Sequence, residues 1–507
     1  MEIKNTGISY ASLIGDSLTE SGNDAGKNSL LANSAPFLSA LLVVGFALVL
    51  FFSAFHLFDS PETWLDEGLI IQSVVGLLQT GKASLLVAPG VFEPAWYITT
   101  GFPLTIPLAG AFALFGVSLE VARSVMLVFL LIFYAVLFLY ARRAIGGWAA
   151  WLGFFFLVLF APVYGHGRNV LGEIPGLVFL LVSLLPLVRG GALTRGDALL
   201  VGTGAGLAFA TKPIFILFLP ALLLACVLRR EELGLKKIFI FGVLGFLMPL
   251  MLWISTQFDN ATLVRVLSVY ANPHDVDIGR AIATNVKRLF TEMQPLYFLG
   301  ALSIWTVSYA VRRFRREEVP LTEEIVLFFS ILVFFAYLRS AGYYRYFFPA
   351  QVFAVLYLSH SVGSLVRGRR RIFLHAAGIF LCGLLLFQAY QTLFRSWTAV
   401  HYDSERTRSL ERYFVHLLME EELFVYQAPE IITFTGNRPV YQFVQITPSI
   451  SAGNAYASRV VSGIAPRIIT PTEFFQEHAR TIFSRYAIAE VIDNYVMLEP
   501  KTVEYEK

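Results

Sequence analysis

A succession of apolar segments between residues 36 and 393, separated by short polar breaks, limits what this chain can fold into. A helix needs about 20 apolar residues to cross the hydrocarbon core of a bilayer. Backbone groups in lipid must be satisfied within the segment, which makes helices the default spanning element. With 56% hydrophobic and 15% charged residues, and a mean hydropathy of +0.64, a water-soluble globule is excluded. The expected fold is a polytopic α-helical membrane protein of 11–13 spans. Residues 1–35 are polar and rich in Ser, Asn and Gly, without the basic region or cleavage site of a secretory signal, and read as a disordered cytoplasmic tail. Cys226 and Cys382 both fall in apolar segments, so a disulfide framework is not expected. The net charge of +3 is small, and its basic clusters fit membrane topology rather than a nucleic-acid partner.

Short loops rich in Lys and Arg stay in the cytoplasm. Five such loops occur: Arg142-Arg143, Arg189 to Arg195, Arg229 to Lys237, Arg312 to Arg316 and Arg367 to Arg371. Alternation from these loops puts Arg168, Lys212, the 257–291 loop, Tyr343 to Tyr346 and everything beyond residue 394 on the exterior. The first quarter breaks the alternation. Twelve apolar segments can be counted, whereas a cytoplasmic N-terminus and an exterior C-terminus require 11 or 13. Either one of the segments near 101–117, 120–141 and 147–163 fails to cross, or the amphipathic piece from Leu69 to Leu78 behaves unusually. Residues 396–507 change character. Helices are expected over Ser404 to Glu422 and Pro471 to Phe483, with strands at Leu423 to Tyr426, Pro439 to Val444 and Tyr495 to Leu498. Gly436-Asn437 and Ala452 to Asn454 supply turns. This C-terminal part reads as a small exterior α/β or α+β domain, following a transmembrane catalytic domain over 36–395.

Ionisable residues at membrane depth cost about 2.5–3.5 kcal/mol each on insertion scales, which makes them functional candidates. Asp66-Glu67 follows the first apolar segment in Trp64-Leu-Asp-Glu-Gly68. Both acids are catalytic candidates, and stabilising a helix N-terminus is the competing role. Glu93 lies in the same loop and reads either as a site acid or as a solvated residue. Glu173 stands at the start of a span five residues after Arg168, so the two form either a structural ion pair or part of an acidic cavity. Lys212, between two spans with almost no loop, is a phosphate ligand or a snorkelling lysine. Tyr344 and Arg345 sit in an aromatic run where tyrosines also serve as interface anchors, while the arginine calls for an anionic partner. No His or Cys pair has metal-ligand spacing, and no phosphate-cradling glycine loop occurs. Nothing demands a divalent cation, and one is not ruled out. Gly202 to Gly206 lies within a span and suits close helix packing.

Carboxylates and cations on one membrane face suit group transfer from a lipid phosphate. A carboxylate takes the proton of the incoming nucleophile, and cations stabilise the departing phosphate. Trp64-Leu-Asp-Glu-Gly68 resembles the acidic motif of the GT-C glycosyltransferases, in their protein O-mannosyltransferase and lipid A aminoarabinose transferase branch. Asp66, Glu93, Arg168/Glu173, Lys212 and the Arg345 to Pro349 run follow that family's order. The resemblance implies a plasma-membrane enzyme that moves a sugar, with inversion, from a polyprenyl-phosphate donor to a lipid, glycan or protein acceptor of the envelope. By the same resemblance Asp66 is the base, Glu67 and Glu173 shape the cavity, and Lys212 and Arg345 hold the donor phosphate. The sequence departs from the aminoarabinose transferases at Glu93, which is followed by Pro94 and Ala95 instead of Lys and a Pro pair. A transporter or lipid flippase gated by its intramembrane charges, and a non-catalytic envelope assembly factor, remain as other classes.

Overall fold

The computed structural model describes residues 25–189, 193–229, 235–257, 272, 276–396, 405–417, 422–436, 438–447 and 450–501. The expected tail up to residue 24, most of the loop over 258–275 and the turn residue Asn437 lie outside them. The chain divides into two units, Met1–Leu48 and Val49–Lys507, and the second holds every element after the first helix. The elements in chain order are α1 (Ala25–Ala54), α2 (Leu65–Thr80), β1 (Ser84–Ala88), β2 (Val91–Pro94), α3 (Phe102–Phe115), α4 (Leu119–Ala144), α5 (Gly147–Val158), α6 (Ala161–Arg168), α7 (Glu173–Leu184) and α8 (Arg195–Thr211). They continue with α9 (Phe218–Leu228), α10 (Leu235–Gln257), α11 (Ile278–Thr291), α12 (Met293–Phe314), α13 (Leu321–Leu338), α14 (Phe348–Val366) and α15 (Arg371–Tyr390). The first helix begins at Ala25, about ten residues inside the segment expected to be tail.

Local signals place these helices. Ser118 caps α4 by accepting from the Val121 amide at 3.3 Å, and Arg142 and Arg143 complement the dipole of its last turn. Thr194 and Asp197 form a capping box on α8. Gly202, Gly206 and Gly245 let α8 and α10 touch backbone to backbone, since a Cβ on Gly202 would lie 1.9 Å from the Gly242 carbonyl oxygen. Among the described residues, five helices are long and apolar enough to span a membrane, or six counting α5 and α6 as one span bent by 58°, and four apolar helices are shorter.

One of the segments at which the alternation breaks is α3. Its 14 residues extend about 21 Å, short of the hydrocarbon core. Just before its start, the Gly101 amide bonds the Thr211 carbonyl at the end of α8. Just beyond its end, Arg123 in α4 bonds the carbonyls of Leu57 and Phe58 below α1, at 3.0 and 3.1 Å. Both ends therefore lie on one side, and Leu104, Leu108 and Phe112 pack against Leu69, Ile70 and Val74 of α2. Helix α3 lies along that side without crossing. The Leu69 to Leu78 piece belongs to α2, which does not span either; its buried face meets the C-terminal domain.

That domain carries α16 (Glu405–His416), β3 (Leu423–Tyr426), β4 (Val440–Thr447), β5 (Ile450–Ala452), α17 (Asn454–Val461), β6 (Ile468–Pro471), α18 (Thr472–His478), β7 (Tyr486–Ile492) and β8 (Tyr495–Pro500). Its six-stranded sheet runs β5-β4-β3-β6-β8-β7. β3 pairs parallel with β4 and β6, and the remaining ladders are antiparallel. The expected strands near 423, 440 and 495 are present, whereas β5, β6 and β7 were not expected from the sequence. Helix α18 stops at His478, short of the expected Phe483.

The domain is keyed into the membrane part. The β1–β2 hairpin shares a core with β4 and β5 through Leu85, Val87, Val444 and Ile450. Gln72 of α2 exchanges side-chain hydrogen bonds with Gln442 and donates to the Pro429 carbonyl at 2.7 Å. A Cβ on Gly68 would lie 2.3 Å from the Glu430 backbone nitrogen, so only glycine allows α2 this approach.

Candidate active site

The first turn of α2 carries the two neighbouring acids into different surroundings. Glu67 is fully buried, with both oxygens engaged by Arg123 of α4: Nε meets Oε1 at 3.1 Å and Nη2 meets Oε2 at 2.9 Å. The Val170 amide also donates to Oε1 at 3.1 Å. Such a bidentate, charge-assisted pair fixes orientation, and it leaves Glu67 no opening to a ligand. Asp66, by contrast, is 29% exposed and pairs with Arg345.

Arg345 occupies a single turn of 3-10 helix, Tyr344–Tyr346, between α13 and α14. Its guanidinium lies 5.3 Å from the Trp64 ring centroid, 5.2 Å from Tyr343 and 5.4 Å from Tyr346. Three aromatic faces hold the cation in place, with one carboxylate on its open side. Tyr344 is turned away from this cluster: its hydroxyl bonds Glu292, and Arg288 stacks 5.1 Å from its ring.

Glu173, at the N-terminus of α7, lies 3.6 Å from Lys212 Nζ. Lys212 also donates to Thr100 Oγ1 at 3.3 Å. The second glutamate oxygen, Oε2, is buried without a hydrogen-bond partner. Asp66 and Glu173 both act electrostatically on Arg345, while Glu173, Arg345 and Lys212 all act on His166. Glu173, Lys212 and Arg345 thus share one neighbourhood around His166, and Asp66 joins it through Arg345.

Two sequence candidates lie elsewhere. Of the two roles open to Arg168 and Glu173, the ion pair is not what these contacts show: the Arg168 guanidinium donates to the carbonyls of Ser60 and Phe52, closing the end of α1. Glu93 sits on the β1–β2 hairpin, where Oε2 accepts from the Gly453 amide at 3.1 Å and ties the hairpin to the C-terminal domain.

A cavity of about 970 Å³ opens between the helix ends and the sheet domain. Trp64, His166, Tyr344 and Arg345 line its membrane wall, and Glu430, Thr472, Asn494 and Tyr495 its sheet wall. Sequence reasoning missed Glu430, which has no apolar span around it to make it conspicuous. Glu430 Oε1 accepts from the Tyr495 hydroxyl at 2.7 Å. Burial, reinforced by the charges of Glu62 and Glu67 and opposed by the Tyr495 hydrogen bond, raises its carboxyl to about 7. Arg123 was also missed, although an arginine inside an apolar span is the signal applied to the other candidates. Among the described residues no group of three His, Cys, Asp or Glu side chains comes together as a metal site.

Residues 105–255 match the family model described as dolichyl-phosphate-mannose-protein mannosyltransferase. The structure of ArnT from Cupriavidus metallidurans bound to undecaprenyl phosphate superimposes with a TM-score of 0.56 at 12% identity, covering 93% of this chain and 99% of that one. The Archaeoglobus fulgidus oligosaccharyltransferase in complex with zinc and sulfate gives 0.56 at 12% identity, covering 88% and 71%. The same organism's AglB, in complex with an inhibitory peptide and a dolichol-phosphate, gives 0.54 at 12%, covering 89% and 71%. No curated protein matches the sequence at a significant level. The chain is a GT-C-fold membrane protein, similar to the protein mannosyltransferases over residues 105–255 and to ArnT over nearly its whole length.

Proposed function

We propose that the protein is an integral-membrane glycosyltransferase that moves a sugar, with inversion, from a polyprenyl-phosphate donor to an envelope acceptor. The observation that carries this is Arg345, which lines a large cavity beneath the sheet domain and is paired with Asp66. The mannosyltransferase family match and the lipid phosphates bound by ArnT and AglB support a lipid-linked donor. The donor phosphate takes the place of Asp66 on Arg345, with Lys212 as the second cation. That exchange releases the Asp66 carboxylate next to the sugar. The acceptor O–H then attacks the anomeric carbon, its proton passes to Asp66, and the bond from that carbon to the phosphate oxygen breaks. Polyprenyl phosphate leaves with the bonding electron pair, its charge stabilised by the two cations. Glu173 holds Lys212, and Glu67 fixes the turn that presents Asp66. The sheet domain faces the exterior side of the plasma membrane, where lipid-linked sugars are available and nucleotide sugars are not.

The test is release of free polyprenyl phosphate from sugar-charged polyprenyl phosphates by full-length protein in nanodiscs. Asp66→Asn is expected to lower release by about 10²–10⁴-fold, the range for removal of a general base, while undecaprenyl phosphate still binds. Full release by that variant, or lipid movement across liposomes without a covalent product, overturns the proposal.

A further inference from the structure

The cavity has two chemically different walls, and the proposed transfer uses only one of them. Its membrane wall offers cations and aromatic faces, which suit a phosphate and its sugar. Its sheet wall is polar and acidic: Glu430, Thr472, Glu473, Asn494 and Tyr495 contribute to it, with Glu62 from the chain just before α2. Asn494 donates to Glu62 at 3.0 Å, so this rim is an organised hydrogen-bonding surface. Glu430 is its innermost carboxyl. It is only 4% exposed, and Tyr495 engages one of its oxygens, whereas Oε2 is buried with no hydrogen-bond partner. Leaving a buried carboxyl oxygen unsatisfied is costly, and such an atom calls for an explanation, of which a bound ligand is one. The turn that carries Glu430 cannot swing away to satisfy it. Gln72 bonds the Pro429 carbonyl, and Gly68 abuts the Glu430 backbone.

We infer that Glu430 is the acceptor-orienting residue of the site, and that the acceptor presents a sugar-like, polyhydroxylated group to the sheet wall, with one hydroxyl bonded to Glu430 Oε2. The inference rests on the proposed glycosyl transfer and names the other substrate of that reaction. Gly68 connects the two halves: Asp66 and the Glu430 turn sit at the two ends of one three-residue stretch of α2. An acceptor held by Glu430 therefore has its reactive hydroxyl close to the base. An apolar acceptor head would leave Glu430 Oε2 without a hydrogen-bond partner.

Groups facing Glu430 are Tyr495 from β8, Glu62 from the chain before α2, and Glu67 from α2, the last neutralised by Arg123. With this acidic surrounding, sealing a neutral sugar over the site favours the protonated carboxyl, which can both donate and accept.

The experiment is saturation-transfer NMR of full-length protein in nanodiscs carrying undecaprenyl phosphate, with methyl hexosides and methyl pentosides as probes. Wild type is expected to bind at least one glycoside, more tightly at pH 6 than at pH 8. Glu430→Leu should weaken that binding about five- to tenfold, the size of one lost hydrogen bond to a carboxyl. Glu430→Gln should restore binding and flatten its pH dependence. Undecaprenyl phosphate binding should be the same in all three proteins, which shows that the leucine variant is folded. If no glycoside binds wild type, or if Glu430→Leu binds them equally well, the inference is overturned. If undecaprenyl phosphate itself does not bind wild type, the proposed donor, and not the acceptor wall, is what fails.

Discussion

Asp66 and Glu67 are adjacent in sequence, and mutating each should give opposite signatures. Replacing Glu67 by Gln keeps the side-chain shape but removes the charge that compensates Arg123, whose guanidinium is fully buried. Breaking one partner of a buried pair costs about 3–5 kcal/mol, because the other charge is left behind. The Arg123 bonds to Leu57, Phe58 and Asn169 remain and moderate the loss, so about 3 kcal/mol is expected for Glu67→Gln. The double variant Glu67→Leu/Arg123→Met removes both charges and should recover much of that stability. Asp66→Asn alters a pair whose aspartate is partly exposed and whose arginine also keeps three aromatic faces, so it should cost less stability than Glu67→Gln, yet it should lower transfer about 10²–10⁴-fold. The assay is the half-life of thermal inactivation in detergent, read beside polyprenyl phosphate release for each variant. If Glu67→Gln matched wild type in half-life but lost release as completely as Asp66→Asn, Glu67 would have to touch substrate, and its assignment as a positioning residue would be wrong.

Arg345→Lys keeps the charge but loses the planar group that stacks between Trp64, Tyr343 and Tyr346, and should weaken undecaprenyl phosphate binding about tenfold, as read by Trp fluorescence quenching. Gly202→Val drives a side chain into the Gly242 carbonyl and should force α8 and α10 apart at a cost of about 1–3 kcal/mol or more, seen as loss of monodisperse protein in detergent. Glu430 gives the structure a pH dependence of its own. Between its ordinary value of 4.5 and the folded value of about 7 only the folded state holds the proton, so stability falls as pH rises through this window and levels off above it. The full drop corresponds to about 3 kcal/mol; inactivation half-lives at pH 5 and pH 8 should show it in wild type and not in Glu430→Gln.

What the sequence disclosed depends on which forces are local. Apolar length and loop charge act over one segment at a time, so the helical membrane part and the sign of most loops could be read directly. Composition could not place α3, because it is that of a span; what distinguishes it is tertiary, the anchoring near its two ends by Gly101 and Arg123. In the C-terminal domain β3, a short run of apolar residues buried throughout, and β4, whose burial alternates over most of its length, were visible. β7 was not, because it is an edge strand whose inner residues are mostly exposed and carry no periodic signal.

Charges behave differently, because burying one requires a partner and the partner is chosen by the fold. Arg168 lies five residues from Glu173 and yet binds carbonyls at the end of α1, while Glu173 meets Lys212 across the bundle. Glu67 finds Arg123, 56 residues away, and Asp66 finds Arg345, 279 residues away. In the Trp64 to Gly68 stretch four of the five positions each have a separate task. Trp64 stacks on the cation, Asp66 pairs with it, Glu67 anchors the turn to α4, and Gly68 admits the sheet domain. A side chain larger than hydrogen at residue 68 would lift the Glu430 wall away from Asp66 without touching either carboxyl. Gly68→Ala should therefore impair transfer while leaving undecaprenyl phosphate binding intact, and simultaneous loss of both would mean that the motif holds only the donor.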